Sequence, residues 1–261
     1  MQQPEQYSFN NLTALNFTVI PDKRSPQLNV TFDGVRILNG DIVSAKPEIC
    51  IQLKDENKYI ALKDTGIFKV FLRFPGEPNF KSIPINDPQI SFIPASGVDK
   101  QNSAKLIFKP LNLINGEHEL LVQAKDATGN ASGNSDYSVK FKVITEKSIS
   151  SFLPYPNPFT SSASFVYTLT GDKMPEHIRV RIYSVSGTLV KEITERELGN
   201  MKIGTHVTDY KWDGTDMYGN KLGNGVYLYQ VVCKDAFGGE WKSFENQSDN
   251  FMDKGFGKIV I

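Results

Sequence analysis

The chain has 261 residues, 39% hydrophobic and 22% charged, with 20 glycines, 14 prolines and an aromatic share of 11%. That is apolar enough to fold, and rich in strand and turn formers rather than helix formers. Its 29 basic residues balance 29 acidic ones, so there is no positive surplus to displace counterions from nucleic acid, and such a partner is excluded on charge.

At this length two compact domains of about 100–150 residues are expected. No stretch approaches the roughly 18 consecutive apolar residues of a membrane helix, and the opening MQQPEQYSFN has neither a basic nor an apolar signal region. Met1 therefore reads as an initiator added to a fragment of a longer chain.

In chain order, period-two alternation predicts eight strands in the first half: LNFTVI (15–20), LNVTF (28–32), VRIL (35–38), EICIQL (48–53), IFKVFLRF (67–74), AKLIFK (104–109), ELLVQAK (119–125) and YSVKFKV (137–143). Asp33-Gly34 forms a two-residue loop with the tolerance for positive φ that a type I′ turn requires, so a hairpin is expected over 28–38. Pro75-Gly76, Asn115-Gly116 and DATGNASGN (126–134) mark further breaks. Around 144–160 the alternation lapses and Pro154, Pro156 and Pro158 recur at every second position. Proline removes the ladder donor, which predicts an extended connector at 149–160 between domains at 1–148 and 161–261.

Six more strands are predicted in the second half: SFVYTL (164–169), IRVRIYSV (178–185), TLVKEIT (188–194), VTDYKW (207–212), VYLYQVVC (226–233) and GKIVI (257–261). Ser186-Gly187 reads as a hairpin turn, and Gly219-Asn220 and Gly223-Asn224-Gly225 as tight loops. The segment 237–257 lacks alternation and is expected to be the most mobile. The fold class is all-β, with two consecutive antiparallel immunoglobulin-like β-sandwich domains.

YPNPF (155–159), the S-G hairpin and W-D-G-T-D-M-Y-G-N-K-L-G-N-G-V-Y-L-Y (212–229) give the second half its resemblance to the immunoglobulin-like module of flagellar hook-capping proteins. The same spacing resembles carboxy-terminal modules of proteins exported by the type IX secretion system of Bacteroidota. The motif residues are Pro156, Asn157, Pro158, Phe159, Trp212, Asp213, Gly214, Asp216, Gly219, Gly225 and Tyr227. In the first half, 28–58 and 122–143 resemble the bacterial immunoglobulin-like region that precedes this module in gingipain-family cysteine peptidases, including the sortase-like peptidase of the secretion system.

The resemblance implies a catalytic domain upstream, a cell-surface, outer-membrane or extracellular location, and a protein partner in the outer-membrane secretion or shuttle machinery. Gly257, Lys258, Ile259, Val260 and Ile261 are the candidate docking strand, as an exposed terminal edge. A cleavable sorting module ends in a short Lys/Arg-containing strand, which GFGKIVI matches only in part.

The residues offer little chemistry of their own. A cysteine nucleophile needs an imidazole base within reach, and Cys50, Cys233, His118, His177 and His206 fall on separate segments without a glycine-rich nucleophile turn, so no catalytic residue and no cofactor are expected. A disulfide across the domain boundary is not expected either. Cys50 alternates out of phase with Ile49, Ile51 and Leu53, whereas Cys233 is in phase with Tyr227, Tyr229 and Val231, which makes Cys233 the buried one.

Asp22, Asp126, Asn130, Asn134 and Asp136 could offer oxygens to calcium. Their spacing matches no dedicated ligand loop, and Gly129 and Gly133 favour turns bonded to their own backbone, so no metal site is expected. Trp212 is expected in the core, with Asp213 and Asp216 accepting loop amides. Two rivals to the sorting role remain: a carbohydrate- or surface-binding accessory domain using Trp241, Tyr218 or Tyr155, and an adhesin module pairing through edge strands.

Overall fold

The computed structural model describes residues 14–18, 21–57, 59–96, 102–234, 241–243 and 256–261. In the first half, β1 (Gln27–Phe32), β3 (Ile49–Asp55), β7 (Asn102–Phe108) and β6 (Ile90–Ile93) form one sheet, in that order. The second sheet runs β2 (Asp41–Val43), β9 (Tyr137–Val143), β8 (Gly116–Ala124), β4 (Phe68–Arg73) and β5 (Lys81–Ile83). Alternate residues face inward. Ile49, Ile51 and Leu53 of β3, Phe68, Val70 and Leu72 of β4, and Val139, Phe141 and Val143 of β9 join one apolar cluster, each fully buried aliphatic or aromatic side chain contributing about 1.5–3 kcal/mol.

In the second half, β14 (Gly204–Val207), β11 (Ser164–Thr170), β10 (Ser148–Tyr155) and β16 (Lys242–Ser243) form one sheet. Its partner runs β13 (Leu189–Ile193), β12 (His177–Ser184), β15 (Val226–Lys234) and β17 (Phe256–Val260), with a one-turn helix α1 (Glu195–Leu198) after β13. A separate cluster lies between them, from Ile149 to Ile259, with Trp212, Tyr167 and Tyr229 its largest fully buried members. The all-β class and the two sandwiches thus follow from the alternation. Pairing is antiparallel except where β2 joins β9 and β16 joins β10, both in parallel.

The predicted connector is corrected. Residues 148–155 are a strand that pairs with β11 from Ser148↔Thr170 to Tyr155↔Ser164. Its alternation is hidden by a bulge between Ser150 and Leu153, with Ser151 at φ 52°, which places one extra residue on the strand. Among the described residues β16 pairs with β10 only at Ser148 and Ile149, and on a strand with no second described neighbour at its far end Pro154 is tolerated.

Other boundaries shift as well. Residues 15–18 form no strand, and 19–20 lie outside the described residues. The Asp33-Gly34 turn forms with φ of 49° and 79°, but the hairpin stops at one bridge, Phe32↔Val35. Residues 208–211 bend away after β14, and Trp212 pairs singly with Ala163. In 237–257, most residues lie outside those described, but Trp241 is buried, Lys242–Ser243 is β16 and β17 begins at Phe256. The strands β2, β5 and β6 have three or four residues each, too few to show a period.

The sandwiches meet at β2 and β14. The Lys202 ammonium donates to the Asp33 carbonyl at 2.8 Å. Gly204, at φ +107°, lies so near the Ile42 carbonyl that a Cβ would stand 2.6 Å from its oxygen.

Candidate functional site

The P-N-P-F segment closes the end of the second sandwich. Both prolines follow cis peptide bonds, and the turn they make directs Asn157 at the last strand. Tyr227↔Ile259 and Tyr229↔Gly257 face each other across β15 and β17, and Gly225 and Ile261 exchange main-chain bonds at 3.1 and 3.0 Å. The polar groups of Lys258 and Val260 therefore point the other way, to the sheet edge.

Three of them are taken. Asn157 Nδ2 donates to Lys258 O at 3.0 Å, Asn157 Oδ1 accepts from Val260 N at 2.9 Å, and Phe159 N donates to Val260 O at 3.1 Å. Strand addition at 257–261, the docking mode expected from the sequence, would have to displace these bonds. Ile259 and Gly257 are buried; Lys258 alone of the five is exposed. Gly257 leaves room for the Tyr229 ring, whose hydroxyl donates to Phe152 O at 2.6 Å.

The W-D-G run packs under the same end. Trp212 is fully buried, with Phe159 and Tyr227 at centroid distances of 5.6 and 6.3 Å, and its indole donates to Thr215 O at 2.9 Å. Asp213 accepts from Thr215 N and Oγ1 and from the Lys221 ammonium; the Thr215 hydroxyl above all holds its carboxyl below the usual range. Asp216 accepts from Tyr218 N, Asn220 N and Asn220 Nδ2. Gly214 sits against Ile261 and Phe159, and Gly219 has φ +86°. The motif residues therefore serve one folded end, where Met217 and Tyr218 on the loop and Tyr155 and Val226 at strand ends stay exposed. Of the proposed sugar-stacking aromatics, Tyr155 and Tyr218 are exposed, but Trp241 is buried.

The thiols and imidazoles are dispersed. Both cysteines are free, Cys50 half-buried and Cys233 buried, and burial pushes Cys233 up to about 12, far from a thiolate at neutral pH. His177 adjoins Ile178, which faces Cys233 across the strands, so its side chain emerges on the opposite face. His118 stacks on Phe141 and bonds Gly116 O, and His206 bonds Ile203 O.

The calcium candidates divide. Asp126 Oδ1 accepts from Thr128 N, Thr128 Oγ1 and Asn130 N, and its Oδ2 from Asn130 Nδ2, the bonded turn expected of an Asp in such a loop. Burial alone would raise its carboxyl, but these donors outweigh it and hold the carboxyl low. Asn130 also reaches Asp22 O at 3.2 Å. Asn134 is exposed, and Asp136 is exposed and accepts from Gln123; neither joins the group that forms.

That group is Asp22, Asp55 and Asp126, whose carboxylates offer oxygens all within 4.8 Å of one another. Asp55 was missed, although the sequence carried its signal: it continues the inward phase of Ile49, Ile51 and Leu53, a carboxylate at a core position. The DATGN turn recurs in the second sandwich as DMYGN (216–220), with the same Asp N to Asn O bond of 2.9 Å in each.

No protein-family model matches the chain, and no curated protein matches it. Among solved structures it is similar to dimeric latent PorU from Porphyromonas gingivalis, at 22% identity and a TM-score of 0.36, over 92% of this chain and 20% of that one. It is also similar to SGBP-B of the Bacteroides ovatus mixed-linkage glucan utilization locus, solved with a mixed-linkage heptasaccharide, at 11% identity and a TM-score of 0.29, over 95% and 69% of the two chains. The SrpA adhesin of Streptococcus sanguinis matches at 13% and 0.24, over 66% and 95%. The chain thus spans about a fifth of the length of PorU. Among the described residues no helix is long and apolar enough to cross a membrane.

Proposed function

We propose that this chain is a non-catalytic interaction and sorting region of a type IX-exported cell-surface protein, whose second sandwich docks to an outer-membrane secretion or shuttle protein. The observation that carries the reading is the division of labour at the P-N-P-F end. The residues that carry the resemblance, from Phe159 and Trp212 to Asp213 and Asp216, are spent on packing and turn bonds. Around them Tyr155, Met217 and Tyr218 are left to solvent, residue types enriched at the core of interfaces. Because the edge at Lys258 and Val260 is already bonded, docking goes through these exposed side chains rather than through an added strand.

The test is a fluorescent reporter carrying residues 148–261 behind a general export signal in a Bacteroidota host with the secretion system. It should reach the cell surface, and Tyr218→Ala combined with Met217→Ala should strand it in the periplasm while the module still melts cooperatively. Equal surface delivery with and without the module rejects the sorting role.

A further inference from the structure

We infer that the first sandwich carries a calcium site, formed by the carboxylates of Asp22, Asp55 and Asp126. Three segments distant in sequence converge there: the stretch before β1, the end of β3 and the turn after β8. Asp55 and Asp126 are 4% and 3% exposed and Asp22 is half-buried, so three acidic groups share a largely dehydrated place.

Two further observations point to a cation. Asp55 Oδ1 is buried and, among the described residues, has no hydrogen-bond partner, while its Oδ2 takes a long contact of 3.5 Å from Asn102 Nδ2. A buried carboxylate oxygen left unbonded is costly, and a metal ion removes that cost directly. Second, among the described residues no lysine or arginine pairs with any of the three. Arg24, whose backbone amide bonds Asp22, directs its guanidinium at Glu56 instead. Among the described residues, the side-chain and backbone donors to Asp22 and Asp126 are uncharged groups, including Asn57 Nδ2 to Asp22 and Asn130 Nδ2 and the Thr128 hydroxyl to Asp126.

Burial raises the Asp55 carboxyl, and the charges of Asp126, Glu56 and Asp22 push it the same way against the Asn57 amide, as expected where negative charge lacks a counterion. The donors are all hard oxygens, which selects calcium or magnesium over softer metals. Oxygens on opposite sides of a calcium ion stand about 4.6–5.2 Å apart, against about 4.1 Å for magnesium. Three oxygens that all lie within 4.8 Å of one another fit inside a calcium coordination sphere, and carboxylates borne on three separate segments suit its flexible geometry.

The experiment is thermal unfolding and titration calorimetry of the full chain in EDTA and in calcium chloride. About 5 mM calcium should raise the melting temperature of the first sandwich by about 5–10 °C, with one ion bound per chain at a dissociation constant on the order of 10⁻⁴ M. Asp55→Asn should abolish the shift. Asp22→Asn, at a less buried position, should weaken binding about tenfold or more and serves if the Asp55 variant fails to fold. Asp216→Asn, in the matching turn of the second sandwich, should leave the calcium response unchanged. A wild-type chain that melts identically in calcium and EDTA overturns the inference, as does a calcium shift that survives both Asp22→Asn and Asp55→Asn. An equal shift with magnesium overturns the assignment to calcium.

Discussion

Asn157 holds Val260 in place: its side-chain Oδ1 accepts the Val260 amide at 2.9 Å while its Nδ2 donates to the neighbouring Lys258 carbonyl at 3.0 Å. A side chain between two prolines thus acts as the missing neighbour of the last strand. Asn157→Ala should destabilise the second sandwich by about 1–3 kcal/mol, since both bonds are lost together. Amide exchange at Val260 should quicken most. Unchanged protection at Val260 would show that the edge is held by other groups.

Trp212→Ala removes the largest fully buried side chain of the second core and its contacts with Phe159 and Tyr227. The loss should be about 3–5 kcal/mol, the usual cost for a fully buried aromatic. Two-probe denaturation should locate the loss in the second sandwich, with the first sandwich's transition at its original midpoint.

Val143 is the last member of the first core and Ile149 the first of the second. A chain ending at Lys147 should therefore unfold cooperatively on its own. A chain starting at Thr160 should not, because it lacks β10, the partner of β11. Circular dichroism melts of the two fragments decide this, and a cooperative transition in the second fragment would remove β10 from the domain.

Gly204→Ala should loosen the junction between the sandwiches. Alanine at φ +107° is strained, and its Cβ would meet the Ile42 carbonyl oxygen at 2.6 Å, a combined penalty of about 1–3 kcal/mol. Small-angle scattering should show a larger maximum dimension, and an unaltered profile with unaltered melting would contradict the close approach.

His118 is buried, and among the described residues its Nε2 has no hydrogen-bond partner. Burial lowers its pKa below 6.5, with the Gly116 carbonyl opposing in part, so the folded state binds the proton less readily than the unfolded chain. Its contribution to stability is complete above 6.5 and is lost as pH falls below that value. Asp55, with a raised folded-state pKa, acts oppositely: its contribution is fully present below 3.8 and is lost as pH rises. His118→Phe keeps the stacking on Phe141 and Phe74 and should reduce the acid-side slope by up to about 1.4 kcal/mol per pH unit, one proton's worth. Superimposable stability profiles from pH 7 to 4 for the variant and wild type would show that His118 does not titrate in this range.

What the sequence determined by itself is whatever depends on neighbours along the chain. Alternation set the inward faces of β3, β4, β8 and β9, the buried position of Cys233 and the half-buried one of Cys50, and the Asp-x-x-Gly-Asn spacing set the self-bonded turns at Asp126 and Asp216. The tertiary structure decided what depends on partners remote in sequence. Pro154 lies in a strand because β11 supplies the ladder on one side and, among the described residues, nothing pairs with it on the other. The last strand is a closed edge because Asn157, about a hundred residues earlier, reaches its main chain. Asp55 reads locally as one more residue in an alternating strand, and only the packing of the two sheets brings Asp22 and Asp126 to it, because electrostatic proximity is a property of the fold and not of spacing along the chain.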